Sequence, residues 1–351
     1  MSKIALITDT HYGIRNDNQI FLDKNKKFFD NFFFKEIDEQ GIKHVIHLGD
    51  LVDRRKFINF NTARHLRKDF IEPLIKRNID YHQILGNHDV YYKNTNDVNA
   101  VEELYAHRLN YYHEPKELQF FGKSILFLPW ICDENREMSM AAISNTKATI
   151  CMGHLQINGF QMQGGNICNN GENLDLFDRF DFVFSGHFHV KSHHKNIYYL
   201  GSHSQFIWSD YNNPRGFHIF DTKNNKLTFY ENPYKMFTKL FYDDKDKEIN
   251  QILDYDFNKH KDTYVKIIIK SKQNPYYFDK FYNKLEEVQP IDIQIVEENV
   301  LGDFEEDIEK IVETQNPIEI FRWYINHSNI QNPKKYESII NELYKRAIEM
   351  E

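Results

Sequence analysis

Over roughly the first 230 residues, short apolar runs alternate with longer stretches of helical periodicity. "KIALIT", "HVIHL", "YHQIL", "SILFL", "ATICM", "DFVFS", "IYYL", "FHIF" and "KLTFY" read as strands. Between the first two, Leu22, Phe29, Phe33 and Ile37 recur on one face, with Phe28 and Phe32 beside them, which predicts a helix from about Phe21 to Gln40. A second helix is expected from Asn61, where Ala63, Leu66 and Phe70 share a face until Pro73 ends or kinks it. A third is expected over about Asp97–Arg108. Near "ENPYK" the pattern changes to "YVKIIIK", a helix over about 276–288, and "IDIQIV", a βαβ-like unit. After "LGD" come acidic and then amphipathic helical segments. The reading is an α/β chain in three parts: a main domain over 1–232, a small α+β domain over 233–300 and a helical tail over 301–351.

Composition narrows this picture. The chain of 351 residues is 41% hydrophobic and 27% charged, as in a soluble globular protein, and its 29 Phe and 21 Tyr predict an aromatic core. No run is long enough to span a bilayer and no secretory signal is visible, so no membrane partner is expected. The cysteines, Cys132, Cys151 and Cys168, are odd in number and lack C-x-x-C spacing. They suggest neither a disulfide framework nor a thiolate zinc site, and a cytoplasmic setting is expected. The net charge of −8 does not advertise a nucleic-acid binder. From residue 301 onward, 11 Asp/Glu outnumber 6 Lys/Arg, so a DNA-facing surface would lie earlier in the chain.

The chemistry gathers just past the strands. "LITDTH" delivers Asp9 and His11, "IHLGDLVD" Asp50 and Asp53, and "ILGNHD" Asn87, His88 and Asp89. "ICMGHL" delivers His154. In "VFSGHFHV", Gly186 lets the chain turn, and His187 and His189 share parity. Each motif alone has an ordinary explanation as a turn, a cap or a core histidine. His44, His47, His82 and His218 lie within strands and read as such ordinary residues. The motifs taken in order are different, because in α/β sheets sites form beyond the carboxyl ends of strands. Carboxylate, imidazole and one amide oxygen, without thiolate, suit Mn²⁺ or Fe²⁺, with Zn²⁺ also allowed. Seven ligands exceed one tetrahedral ion but suit two metals sharing a bridging carboxylate, which can clamp a phosphoryl group for in-line attack.

D-x-H, GD-x-x-D, GNHD, a lone GH and GH-x-H, in this order, resemble the calcineurin-like metallophosphoesterase superfamily. "GDLVDRRK", "GNHDVYYKN", "SGHFHVKS" and "WSDYNNPRGFHIFD" further resemble the SbcD and meiotic-recombination-eleven type DNA repair nucleases, phage recombination endonuclease subunits among them. The resemblance implies a two-sheet α/β sandwich with a small capping domain and a helical C-terminal tail. It implies Asp9, His11, Asp50 and His189 around one Mn²⁺, and Asp50, Asn87, His154 and His187 around a second. His88 becomes the catalytic histidine, not a ligand, and Asp53 reads as the carboxylate that orients it. His203 departs from the pattern and is expected to face solvent.

The implied activity is Mn²⁺-dependent 3′–5′ exonuclease on duplex ends and endonuclease on single strands, acting in double-strand-break repair or recombination. A cyclic-nucleotide phosphodiesterase shares the metal motifs but would not need the extra ~120 C-terminal residues. A DNA-bridging subunit that does not cut would seldom retain every ligand. Arg54, Arg55 and Lys56, with Lys191 and the following His193, His194 and Lys195, would border the metals and contact DNA ends without sequence preference. The resemblance implies a homodimer, with Leu66 and Phe70 facing Val101 and Leu104 as candidate anchors. It also implies an SMC-like ABC-type ATPase partner. In the tail, Tyr336, Ile339, Ile340, Leu343, Tyr344 and Ala347 form an apolar stripe suited to docking that partner.

Overall fold

The structure, a computed structural model, describes residues 2–105, 108–162, 167–297 and 334–340. The chain divides into two compact units, one of Met1–Phe206 with Asn212–Met236, the other of Ile207–Tyr211 with Phe237–Glu351. The first carries, in chain order, β1 (Lys3–Ile7), β2 (His44–His47), β3 (Asp80–Ile84), β4 (Asn110–Tyr112), β5 (Lys116–Phe120) and β6 (Lys123–Leu128). It continues with β7 (Ile150–His154), β8 (Phe182–Gly186), β9 (Ser192–His194), β10 (Ile197–Tyr199), β11 (Gly216–Asp221) and β12 (Lys226–Glu231).

These strands form two six-stranded sheets, ordered β12-β11-β1-β2-β3-β4 and β5-β6-β7-β8-β10-β9. The centre of each is parallel: β1 to β4 in one, β6, β7, β8 and β10 in the other. Alternation along β1 explains the layering. Ile4 and Leu6 face a core shared between the sheets with Ile46, Phe127, Met152 and Phe184. Ala5 and Ile7 face the other way, into a cluster with Phe28, Phe29, Phe33, Leu66 and Phe70 from the helical layer. A third cluster, with Leu126, Cys151, Val183 and Phe177, covers the outer face of the second sheet. This is the α/β sandwich that the motifs implied.

Both long helices depart from regular α geometry. Gln19–Phe28 passes through a π turn at Phe29–Phe33 before resuming as Phe34–Glu39. The wider turn keeps Phe28, Phe29, Phe33 and Phe34 all buried, which a uniform 3.6-residue period would not. In the next helix, Phe60–His65 leads through a π turn at Leu66–Ile71 into Glu72–Lys76. Pro73 therefore does not end the helix. It falls just after the looser turn, where its missing N–H and its ring are accommodated.

The second unit contains β13 (Phe237–Asp243), β14 (Tyr264–Ser271) and β15 (Asp292–Glu297), all parallel. The Pro275–Glu287 helix packs Phe278, Phe281 and Leu285 against Leu240, Tyr242 and Ile267 of this sheet. Residues 334–340 are helical. Among the described residues, no helix is long and apolar enough to cross a membrane.

Candidate metal centre

The loops after β1 and β2 are zipped together by their backbones. Asp9 N donates to Gly49 O at 3.0 Å, His11 N to Asp50 O at 3.1 Å and Tyr12 N to Leu51 O at 3.0 Å. This fixes Asp9, His11 and Asp50 relative to one another before any side-chain contact is made. These residues carry backbone strain: φ is 52° at Asp9, 41° at His11 and 56° at Asp50, and it is 85° at His187. Left-handed conformations at non-glycine residues cost about 1–3 kcal/mol each and persist where surrounding structure over-determines them.

Two donor groups result. Ligand atoms of Asp9, His11 and His189 all lie within 4.8 Å of one another, and so do those of Asp50, His154 and His187. Asp50 joins the two groups: its Oδ2 is 3.6 Å from His11 Nε2 and 3.3 Å from His154 Nε2. Asn87 Oδ1 lies 3.1 Å from His154 Nε2 and 2.9 Å from His187 Nδ1. His11 Nε2 and His189 Nε2 are 3.0 Å apart. All seven expected ligands are thus brought together, drawn from the ends of β1, β2 and β3 in one sheet and β7 and β8 in the other.

Hydrogen bonds behind the donors aim them. His154 Nδ1 donates to Leu48 O at 2.7 Å, which turns its Nε2 toward Asp50 and Asn87. Thr8 Oγ1 donates to Asp9 Oδ2 at 2.7 Å, and His88 N donates to Asp50 Oδ1 at 2.8 Å. Asp89, to which the motif pattern assigns no role, is the latch of the site. Its Oδ2 accepts from Asp50 N (2.9 Å) and Gly86 N (2.8 Å), its Oδ1 from Leu51 N (2.8 Å) and Val52 N (3.2 Å). Burial and the neighbouring Asp50 push its pKa up to about 7, against the pull of these amide donors. The GNHD spacing places Asp89 in the loop, but nothing local reveals that its carboxylate ties two loops.

The donor chemistry fits divalent cations. Asp9 and Asp50 are fully buried, and the imidazoles of His11, His154 and His189 stand beside them. Burial opposes protonation of His11 and His154, yet the adjacent carboxylates outweigh it and push both up to about 9. Burial holds His187 down to about 3, and His189 well below its ordinary value. Such a charge pattern, with protons drawn to imidazoles by crowded carboxylates, is what bound cations would replace.

Several expectations need correction. His88 Nδ1 donates not to the Asp53 carboxylate but to the Asp53 backbone carbonyl, at 2.5 Å. The carboxylate instead approaches His11 Nδ1, at 3.4 Å, so it orients an expected ligand. His203 does not face solvent: it is fully buried, its Nε2 lies 2.9 Å from Asn25 Oδ1, and its ring packs on Phe28 and Phe29. Gly186 is not in a left-handed turn; that conformation belongs to His187. The glycine is needed for space, because a Cβ there would stand 2.1 Å from Thr8 Oγ1 and 2.7 Å from Leu48 O. Leu66, Phe70 and Val101 are fully buried in the chain's own core, where Leu104 packs against them, so they cannot serve as exposed dimer anchors.

The basic residues divide. Arg54 is tied to Asp17 at 2.7 Å and lies over the Phe57 ring, so it is not the free phosphate contact expected. Arg55 is half-buried, with Nη1 lacking a hydrogen-bond partner, and Lys56 and Lys191 are exposed. Tyr336 and Ile339 are exposed and Ile340 partly so; Leu343, Tyr344 and Ala347 lie outside the described residues.

Comparison with known proteins agrees with this geometry. Residues 2–191 match the calcineurin-like phosphoesterase family model. The chain is similar to exonuclease subunit 1 of Enterobacteria phage T4, with 30% identity covering 98% of this chain and 99% of the relative. It is 28% identical to the SbcD component of the SbcCD nuclease of Staphylococcus epidermidis, over 64% of this chain and 67% of the relative. A purple acid phosphatase from yellow lupin (Lupinus luteus) seeds aligns with a TM-score of 0.35 and 12% identity, over 67% of this chain and 46% of that one.

Proposed function

Since the chain belongs to the calcineurin-like phosphoesterase family, we propose that it is a metal-dependent DNA nuclease, a 3′–5′ exonuclease on duplex ends and an endonuclease on single strands. The observation that carries phosphodiester hydrolysis is the pair of donor groups joined at Asp50. Nuclease activity is supported by the names of the phage exonuclease and SbcCD nuclease relatives, and DNA is the substrate proposed for it.

Asp9, His11, Asp50 and His189 would hold one divalent cation, and Asp50, Asn87, His154 and His187 another, with Mn²⁺ as the proposed metal and Fe²⁺ or Zn²⁺ as alternatives. When bound, the pair would supply Lewis-acid polarisation of the phosphoryl oxygens and activation of water. The protein's own part is positional. Asp89 and the Leu48 carbonyl hold Asp50 and His154 in place. The Asp53 carbonyl accepts a hydrogen bond from His88 Nδ1–H, so that in the imidazolium form Nε2–H would give its proton to the leaving oxygen and the ring would return to neutral. Lys56 and Lys191, both exposed, would meet backbone phosphates, with the half-buried Arg55 behind Lys56.

The proposed setting is double-strand-break repair with an SMC-like ABC-type ATPase, docked on the terminal helix through Tyr336 and Ile339. A homodimer would need outward groups such as Phe60 at the start of the helix and Phe57 just before it, exposed by 94% and 63%, in place of the buried anchors. The deciding experiment is Mn²⁺-supplemented digestion of end-labelled duplex DNA alongside cyclic AMP. Shortening of the labelled duplex with cyclic AMP intact is expected. Hydrolysis of cyclic AMP with intact DNA would overturn the nuclease reading, and DNA binding without cutting would make the chain a bridging subunit.

A further inference from the structure

His44, Asp80 and His82 read as ordinary strand residues in the sequence, yet the fold assembles them. β2 and β3 are parallel with His44 directly beside Asp80, and His82 lies two residues on. All three side chains therefore project from one face of the sheet, at the amino ends of the strands that carry Asp50 and Asn87 at their other ends. His44 Nδ1 is 3.1 Å and His82 Nε2 3.0 Å from the same oxygen, Asp80 Oδ2. Donors bound to one ion at about 2.0–2.1 Å stand roughly 2.9–3.4 Å apart, so these spacings need no rearrangement to accept a cation.

The surroundings of His82 suit a ligand site, with His44 Nδ1 already within hydrogen-bond reach of Asp80. His82 is 7% exposed, and its Nε2 has no hydrogen-bond partner despite facing Asp80. Its other nitrogen, Nδ1, meets Tyr112 Oη at 2.7 Å. In the tautomer whose Nδ1–H donates to that hydroxyl, Nε2 presents its lone pair toward Asp80, the form in which imidazole and carboxylate can share one cation. Burial holds His82 below its ordinary pKa, in the neutral form that binds metal. The second oxygen of Asp80 is occupied by Asn110 Nδ2 at 3.3 Å, which turns Oδ2 toward the imidazoles. Phe120 and Phe121 wall the cluster on the apolar side. Asp80, 46% exposed, leaves the other side open to solvent.

We infer that His44, Asp80 and His82 bind a single borderline transition-metal cation of the Zn²⁺ and Ni²⁺ class, at a site separate from the two-metal centre. Two imidazoles and one carboxylate suit that class better than Mg²⁺ or Ca²⁺. Bound there, the ion clips β2 to β3 at the end remote from the nuclease chemistry, and water completes its coordination. The role is structural: it raises resistance to unfolding without entering the reaction.

The test is Zn²⁺ titration of the full chain, with metal per chain counted by elemental analysis after gel filtration. His44→Gln and Asp80→Asn are each expected to retain one equivalent of Zn²⁺ fewer than the native protein. Both should show the same Mn²⁺-supported hydrolysis of a simple phosphodiester. The Zn²⁺-induced rise in unfolding temperature should shrink in the same two variants. If either variant folds and still binds as many Zn²⁺ as the native chain, the site does not exist. The exposed Asp80 position provides a mild substitution should His44→Gln misfold.

Discussion

Replacing Asp89 by Asn tests the latch without touching an expected ligand. In the native chain each carboxylate oxygen accepts from two amides, Oδ2 from Asp50 N and Gly86 N, Oδ1 from Leu51 N and Val52 N. An amide keeps only one oxygen. Whichever way it is turned, its NH₂ group faces two backbone N–H donors, which lose their acceptor in a fully buried setting. Each buried donor left unsatisfied costs about 1–3 kcal/mol, so the change should remove about 2–6 kcal/mol. A domain is stable by only about 5–15 kcal/mol, so denaturant unfolding at fixed metal concentration will resolve the loss. The loops that carry Asp50 and Asn87 should also loosen, with a fall of roughly 10–100-fold in metal affinity or activity, as for other groups that orient ligands. An unfolding free energy within about 0.5 kcal/mol of native, together with unchanged Mn²⁺ affinity, would refute the latch.

Other substitutions probe neighbouring parts of the molecule. His88→Ala should keep the full metal content by elemental analysis while cleavage falls about 10²–10⁴-fold; loss of an ion would mean that His88 is a ligand. Gly186→Ala should weaken metal binding and cost about 1–3 kcal/mol, because the new methyl group displaces Thr8 Oγ1 or Leu48 O; an unchanged binding isotherm would show that the space is not required. His203 and His218 are buried neutral, each held down to about 3. The unfolded chain takes up these protons near pH 6.5, so their contribution is full above that pH and is lost as pH falls toward 3. At pH 5 this amounts to about 2 kcal/mol per imidazole, and His203→Gln should reduce the loss between pH 7 and pH 5 by that amount. Equal slopes for variant and native protein would show that His203 is protonated when folded.

The strand motifs were legible because both parts of the signal are local: an apolar run predicts the strand, and the residue just past it predicts what the strand end presents. Asp9, His11, Asp50, Asn87 and His154 could be found this way. The edge strands β4, β5 and β9 were not, because "NYY", "KELQF" and "SHH" carry no apolar run and owe their extended shape to a neighbour. Side-chain partnerships were equally hidden. Spacing put Asp53 near His88, yet only the folded loops decide that its carbonyl meets His88 and its carboxylate meets His11. Leu66 and Phe70 have the pattern of any apolar helix face. Whether such a face meets a second copy or the chain's own sheet depends on β1 and β2, far away in sequence.

That distance has a consequence for how the protein comes into being. His11 meets His189, and Asp9 meets His187, each pair separated by 178 positions. β1 is completed by β11, whose partner for Lys3 is Asp221. At about 5–20 residues per second of synthesis, the amino-terminal half of the centre waits roughly ten to forty seconds for the other half to be made. Through that interval β1 has an open edge, and no amount of metal can gather the full donor set. Such long-range closure belongs to slow-folding topologies. Cotranslational folding of this chain should therefore yield a metal-competent molecule only after residue 221 has cleared the ribosome, however early the first sheet begins to form.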